Sequence, residues 1–225
     1  MGELFTFFGL ISEDKTFIFL SHMLLSAGIA LILARVAMSN LQLVPKGTQN
    51  LMEAYIQGVW SMGTDVMGRE HARKYVALVA TLGLFIGIAN IIGIFPGFEA
   101  PTAMLEMPLA LALTVFVYYN YVGIKEHGLL HYLKHFLGPV WWLYWLMFPI
   151  EIVSHISRII SLSFRLFGNV KGDDMFLMVI LMLAPWVLPI VPFALLTFMA
   201  LLQAFIFMML TYVYLGSSLI VDEAV

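Results

Sequence analysis

Charged side chains placed where a membrane would lie are the first candidates for chemistry. The run from Ile150 to Ala184, between Pro149 and Pro185, contains no proline, and its only glycines are Gly168 and Gly172. Into this apolar run the sequence puts Glu151, Arg158, Arg165, Lys171, Asp173 and Asp174. Carboxylates can take up and release protons, whereas a guanidinium stays charged because its pKa exceeds about 12. Such a set can carry and steer ions. Each charge costs about 3 kcal/mol at the membrane centre on insertion scales, so these groups must face protein, water or one another.

A helical wheel sorts them. Glu151, Arg158 and Arg165 are spaced by seven, so each step drifts by only about 20°. Ser154, Ser161, Gly168 and Asn169 fall near the same line, giving one polar stripe about five turns long. Small Ser161 and Gly168 would let a partner helix approach closely. Asp174 is turned roughly 180° from Arg165, and Asp173 lies at an intermediate angle. No acid stands three or four residues from Arg165. A structural ion pair with another helix stays open for Arg165, a snorkelling or structural role is the expectation for Arg158, and Lys171 can pair with Asp174 one turn on. In the apolar stretch that follows, Gln203 is the single strongly polar interior residue. It can tie two helices together, or face Arg165 across a hairpin. Asn90 is a similar lone amide, and His22 reads as a packing residue.

The elements that must position these residues follow from composition. The chain has 225 residues, 62% hydrophobic and only 11% charged, against about 25% charged in ordinary globular domains. Several apolar runs reach the roughly 20 residues a membrane helix needs. The sequence therefore predicts an all-α polytopic membrane protein forming one domain over 1–225. An outer N-terminal segment, 1–15, precedes a first span at 16–34. An amphipathic surface helix is expected at 48–68, where Leu51, Ala54, Tyr55, Val59 and Met62 recur at helical spacing. Further spans are expected at 75–95 and 107–124. Trp141, Trp142, Tyr144 and Trp145 read as an interfacial anchor. The run 150–184 would be about 52 Å long as a helix, against a hydrocarbon core of about 30 Å. It is expected to break or to lie strongly inclined, and with 193–219 it forms a long C-terminal hairpin.

Basic residues cluster between the first two spans (Arg35, Lys46, Arg69, Arg73, Lys74) and after the third (Lys125, Lys134). The positive-inside rule then places the N-terminus outside and both basic loops in the cytoplasm. If each leg of the hairpin crosses, the C-terminus is cytoplasmic. There is no cysteine, and no basic tail that suggests nucleic acid. No cofactor or metal is expected, and no G-x-x-x-x-G-K-[ST] nucleotide loop occurs.

The stretch "SLSFRLFGN", followed by "LLQAFIFMMLTYVYL", resembles the signature of subunit a of the rotary ATP synthase membrane sector. "IEIVSHISRIISLSFRLFGN", "PTAMLEMPLALALTVF" and "IANIIGIFPG" extend the resemblance from about Pro45 to the end. It implies a stator subunit in a bacterial inner membrane, with two proton half-channels beside a ring of rotor c subunits that carry membrane-embedded carboxylates. It also implies peripheral-stalk b subunits and the remaining ATP synthase subunits as partners, besides membrane lipid. Arg165 matches the essential arginine facing the rotor carboxylate, Gln203 the polar residue facing it, and Asn169 lies one turn on. Asp174, with Asp173 beside it, takes the place of an outer half-channel acid. Glu151 matches an acid of the cytoplasmic half-channel, and Asn90 and Glu99 fall near the outer entrance. With Ser161, these form the candidate proton path. Leu196 stands where the family often has a second ionisable group, Glu106 where an amide is common, and Lys171 is an added charge. The competing reading is a stand-alone secondary ion transporter or channel. Against it, the chain has no internal repeat and no second proline-broken span in a matching half.

Overall fold

The computed structural model describes residues 7–10, 14–39, 41–95, 97–128, 144–183 and 190–219. Among these, the regular elements are α1 (Lys15–Met38), α2 (Thr48–Ile94), α3 (Glu106–His127), α4 (Tyr144–Leu183) and α5 (Ile190–Leu219), with short 3-10 turns at Phe8–Leu10 and Pro101–Ala103. All five α-helices are long and apolar enough to cross a membrane. Parts of the expected outer N-terminal segment, Trp141 and Trp142 of the aromatic anchor, Lys134, the turn at Pro185 and the C-terminal "VDEAV" lie outside the described residues.

The segment expected as a separate surface helix is one leg of α2. Gly68 breaks the helix with φ 79° and ψ 164°, a left-handed geometry that glycine adopts without a Cβ penalty. The chain then folds back on itself. The Tyr55 hydroxyl donates to the Ala80 carbonyl at 2.7 Å, although 25 residues of straight helix would separate them by about 37 Å. Of this leg's apolar spacing, Tyr55 and Val59 pack on protein, Val59 in one core with Tyr75, Val79 and Ile86, while Leu51 and Ala54 are exposed.

Both legs of α2 pack along α5, and α3 packs on α4 and α5. Glycines permit the close approach. A Cβ on Gly63 would run into the Tyr212 ring, and one on Gly83 into Met208 and Tyr55. Phe207, Tyr212 and Leu215 of α5 meet Leu162 and Leu166 of α4 in the same core. α4 begins at Tyr144 rather than Ile150, with Pro149 inside it. α5 begins at Ile190, with Pro192 in its first turn, where the missing N–H costs little.

The connection after α2 is tied down from two sides. His22 of α1 donates through Nδ1 to the Ile18 carbonyl at 2.8 Å and accepts at Nε2 from the Glu99 backbone N–H at 3.2 Å. The Thr102 hydroxyl donates to Asn90 Oδ1 at 2.6 Å. His22 is thus a satisfied packing residue that also holds this loop.

Candidate functional site

Helix α4 sorts its side chains onto two faces. Leu162, Ser163 and Leu166 are buried against the rest of the protein. Ser161, Arg165, Gly168, Lys171 and Gly172 are exposed. A methyl group added to Gly168 or Gly172 would meet nothing within 4 Å. Among the described residues, no hydrogen bond or ion pair engages Arg165. The internal ion pair left open for this arginine is absent there.

Farther around the same helix, the surface becomes a polar cleft. Asn169, Asp173 and Asp174 of α4 meet Asn90 of α2 and Gln203 of α5 there. The cleft spans about 430 Å³ of atom-free space, part of it open to the outside, with Gly93, Ala100, Leu177, Leu196 and Ala200 in its walls. Asn169 Nδ2 donates to Gln203 Oε1 at 2.7 Å. Gln203 therefore bonds one turn past Arg165 rather than to the guanidinium itself. Asn90 is held by Thr102 and donates to the Ala200 carbonyl at 3.4 Å. Asp174 lies within reach of the charges of Lys171, Glu99 and Asp173. Leu196 lines this cleft and is buried.

The third cluster lies about 21 Å along α4 from Arg165, by helix rise. Glu151 is half-buried, with its Oε1 3.4 Å from His155 Nε2. His155 is buried and bonds through Nδ1 to the Tyr119 hydroxyl at 2.6 Å. Arg158 is spent on structure. Its guanidinium lies 5.9 Å from the Tyr119 ring centre and 5.4 Å from that of Tyr214, and it donates to Ser217 Oγ at 3.1 Å.

The single stripe read from the sequence is therefore divided. Asn90, Asn169, Asp173, Asp174 and Gln203 converge on the cleft. Arg165 and Ser161 point to the open face, Glu151 belongs to the distant cluster, and Glu99 is half-buried in the loop held by His22. Sequence reasoning missed Thr102, Tyr119 and His155. The Glu151–His155 pair could have been found from its spacing of four on one helix. Tyr119 and Thr102 could not, because they arrive from another element or a loop.

Taken together, these features define an all-helical multi-pass membrane protein that keeps amides and carboxylates inside its apolar helices. The family model described as ATP synthase A chain matches residues 19–216. ATP synthase subunit a of Sulfurimonas denitrificans is 77% identical over 223 residues, covering 99% of this chain and 100% of the relative. The subunit a of Nitratiruptor sp. is 61% identical, and that of Campylobacter fetus subsp. fetus 60%, each across 99% of both chains. The chain belongs to the ATP synthase A chain family.

Proposed function

We propose that this chain is the stator half of the ion path of a rotary ATP synthase, turning proton flow into rotation of a neighbouring ring. The observation that carries the reading is Arg165: exposed, unpaired among the described residues, and set around the helix from a cleft holding Asp173 and Asp174. A permanent charge on a lipid-facing surface is costly. Its partner is then a carboxylate on another subunit, a ring of rotor c subunits seated on the open face of α4.

Function follows from the electrostatics. A rotor carboxylate reaching Arg165 is favoured in its ionised form by Coulomb attraction in a low-dielectric setting. The guanidinium cannot pass a proton on, so it separates an entry path from an exit path. The cleft at Asp174 and Asp173, with Asn90, Asn169 and Gln203, is the outer path, and Glu99 lies toward its mouth. Glu151 marks the inner path. Ser161 leaves room for the rotor surface one turn before the arginine. A neutral carboxylate can leave into lipid and an ionised one cannot, which makes each proton delivered a step of the ring. The N-terminus outside, a cytoplasmic C-terminus, an inclined α4–α5 hairpin, peripheral-stalk b subunits and a bacterial inner membrane complete the proposal.

Purification in mild detergent tests it. A ring of small carboxylate-bearing subunits is expected to co-purify, and the isolated chain in vesicles is expected to pass no ions. Ion flux from the chain alone would instead make it a self-contained channel.

A further inference from the structure

We propose that His155, held by Tyr119, is a second proton-carrying group at Glu151. The inference rests on the reading of Glu151 as part of the inner path. His155 sits between two oxygens, the Tyr119 hydroxyl at 2.6 Å from Nδ1 and the Glu151 carboxylate at 3.4 Å from Nε2. Its ring stacks on that of Tyr119, with centroids 5.7 Å apart and an interplanar angle of 22°. Tyr119 is 1% exposed, while Glu151 is half-buried. The imidazole thus reaches from the packed interior toward the open side of the cluster.

What distinguishes this histidine is that both of its protonation states keep their partners. When neutral, it either carries its hydrogen on Nε2 toward an ionised Glu151, with the tyrosine O–H donating to Nδ1, or carries it on Nδ1 toward the tyrosine oxygen, with Nε2 open to a protonated Glu151; the hydroxyl rotates to suit, since a phenol does either. When protonated, it donates from both nitrogens. His22 is the counter-example. Its Nδ1 donates to the Ile18 carbonyl and its Nε2 accepts from the backbone N–H of Glu99, so neither nitrogen faces a group that carries a proton to exchange.

The transfer balances without any other reagent. A protonated Glu151 gives its proton to Nε2 of a His155 that carries its hydrogen on Nδ1, leaving a carboxylate beside an imidazolium, and the return step restores both. Among the described residues, Arg158 on α4, Tyr119 on α3 and Tyr214 on α5 lie around this pair. The Arg158 guanidinium is engaged with the two tyrosine rings and with Ser217, which leaves Glu151 and His155 to exchange the proton.

The test uses the whole ATP synthase in inverted vesicles, carrying His155→Leu, His155→Gln or Tyr119→Phe. Proton flux is measured with pH varied on each side in turn. Both His155 variants are expected to lose roughly tenfold in flux, less than the roughly 10²–10⁴ of a positioned proton-transfer group, because water still reaches Glu151. They are also expected to change the pH profile on one side only, and Tyr119→Phe to shift that same profile. Parental flux in both His155 variants overturns the proposal, and so does reduced flux with an unchanged profile. If His155→Leu fails to assemble, the profiles of His155→Gln and Tyr119→Phe decide by the same criterion. Glu151→Gln in parallel separates the two readings. Parental flux there removes Glu151 from the path, whereas impaired flux there with unaffected His155 variants sinks only the present inference.

Discussion

The two arginines of α4 are seven residues apart, yet their surroundings predict opposite consequences on removal. Arg158→Ala deletes two ring contacts and a hydrogen bond to Ser217. Each cation–π contact at a partly exposed site is worth about 0.5–1 kcal/mol, and the charged hydrogen bond, discounted for exposure, about 1 kcal/mol. The expected loss is about 2–3 kcal/mol, felt as a looser joint between α3, α4 and α5. Arg165→Ala deletes no hydrogen bond or ion pair among the described residues, so its effect on stability should stay within about 0.5 kcal/mol, as at ordinary surface positions. Its functional cost should be far larger. A charge pair at about 4 Å in an effective dielectric near 20 is worth about 4 kcal/mol, close to a thousandfold bias toward the ionised rotor carboxylate. The assay compares thermal unfolding of the detergent-solubilised complex with ATP-driven proton pumping in inverted vesicles. Arg158→Ala should unfold earlier and, once assembled, still pump. Arg165→Ala should unfold like the parent and lose coupling, with a passive leak. Coupled pumping in Arg165→Ala would falsify the central assignment; destabilisation of both variants alike would refute the division of α4 into a packed and an open face.

Three more outcomes follow from the cleft, with Gly168 on the open face as the comparison. Asp174→Asn is expected to assemble normally and to lose proton-driven ATP synthesis in vesicles by tenfold or more, on the order of a missing proton-transfer group; an unchanged rate would remove Asp174 from the path. Asn90→Leu strips the partners of the buried Thr102 hydroxyl and the Ala200 carbonyl, and should cost about 2–3 kcal/mol, read as a lower unfolding temperature of the complex. Gly93→Ala would press a methyl group against the Ala100 backbone, 2.8 Å from its nitrogen. That overpacking should cost about 1–3 kcal/mol and lower proton flux by narrowing the cleft, while Gly168→Ala, with nothing within 4 Å of the added methyl, should leave stability within about 0.5 kcal/mol.

What the sequence discloses here is local, and what it withholds is relative. Helix character, the long α4 and the spacing of its charges all follow from periodicity. So does the opposition of Asp174 and Arg165, since 3.6 residues per turn fixes angles within one helix. The wheel cannot say which angle faces protein. Leu166 and Arg165 are neighbours in sequence, yet one is fully buried and the other exposed. Arg158 and Arg165 lie only about 20° apart around the helix, yet Arg158 meets two tyrosine rings and Arg165 is exposed. The boundary at Gly68 is legible as the end of the helix expected at 48–68; the fold-back there, with Gly68 at φ 79°, depends on where the two legs go and is not. His155 escaped because its meaning depends on Tyr119, 36 residues away on another helix.

The separation of the clusters along and around α4 constrains how any ion could pass. Asn169 and Gln203 hold each other at 2.7 Å on the cleft side, so the amide nearest to Arg165 in the hairpin is engaged with a neutral partner. On the proposed reading, a rotor carboxylate would meet a guanidinium with no internal competitor among the described residues, which would maximise the bias toward ionisation. The same arrangement offers the means of release. If Gln203 or Asn169 turns toward the carboxylate or the guanidinium, the charge pair is shared with an amide dipole and weakened without any proton moving. Removing that option in Gln203→Leu should leave the arginine bias intact but slow the ring, giving reduced turnover without a passive leak. A leak in Gln203→Leu equal to that of Arg165→Ala would mean that the amide pair, rather than the arginine, separates the two paths.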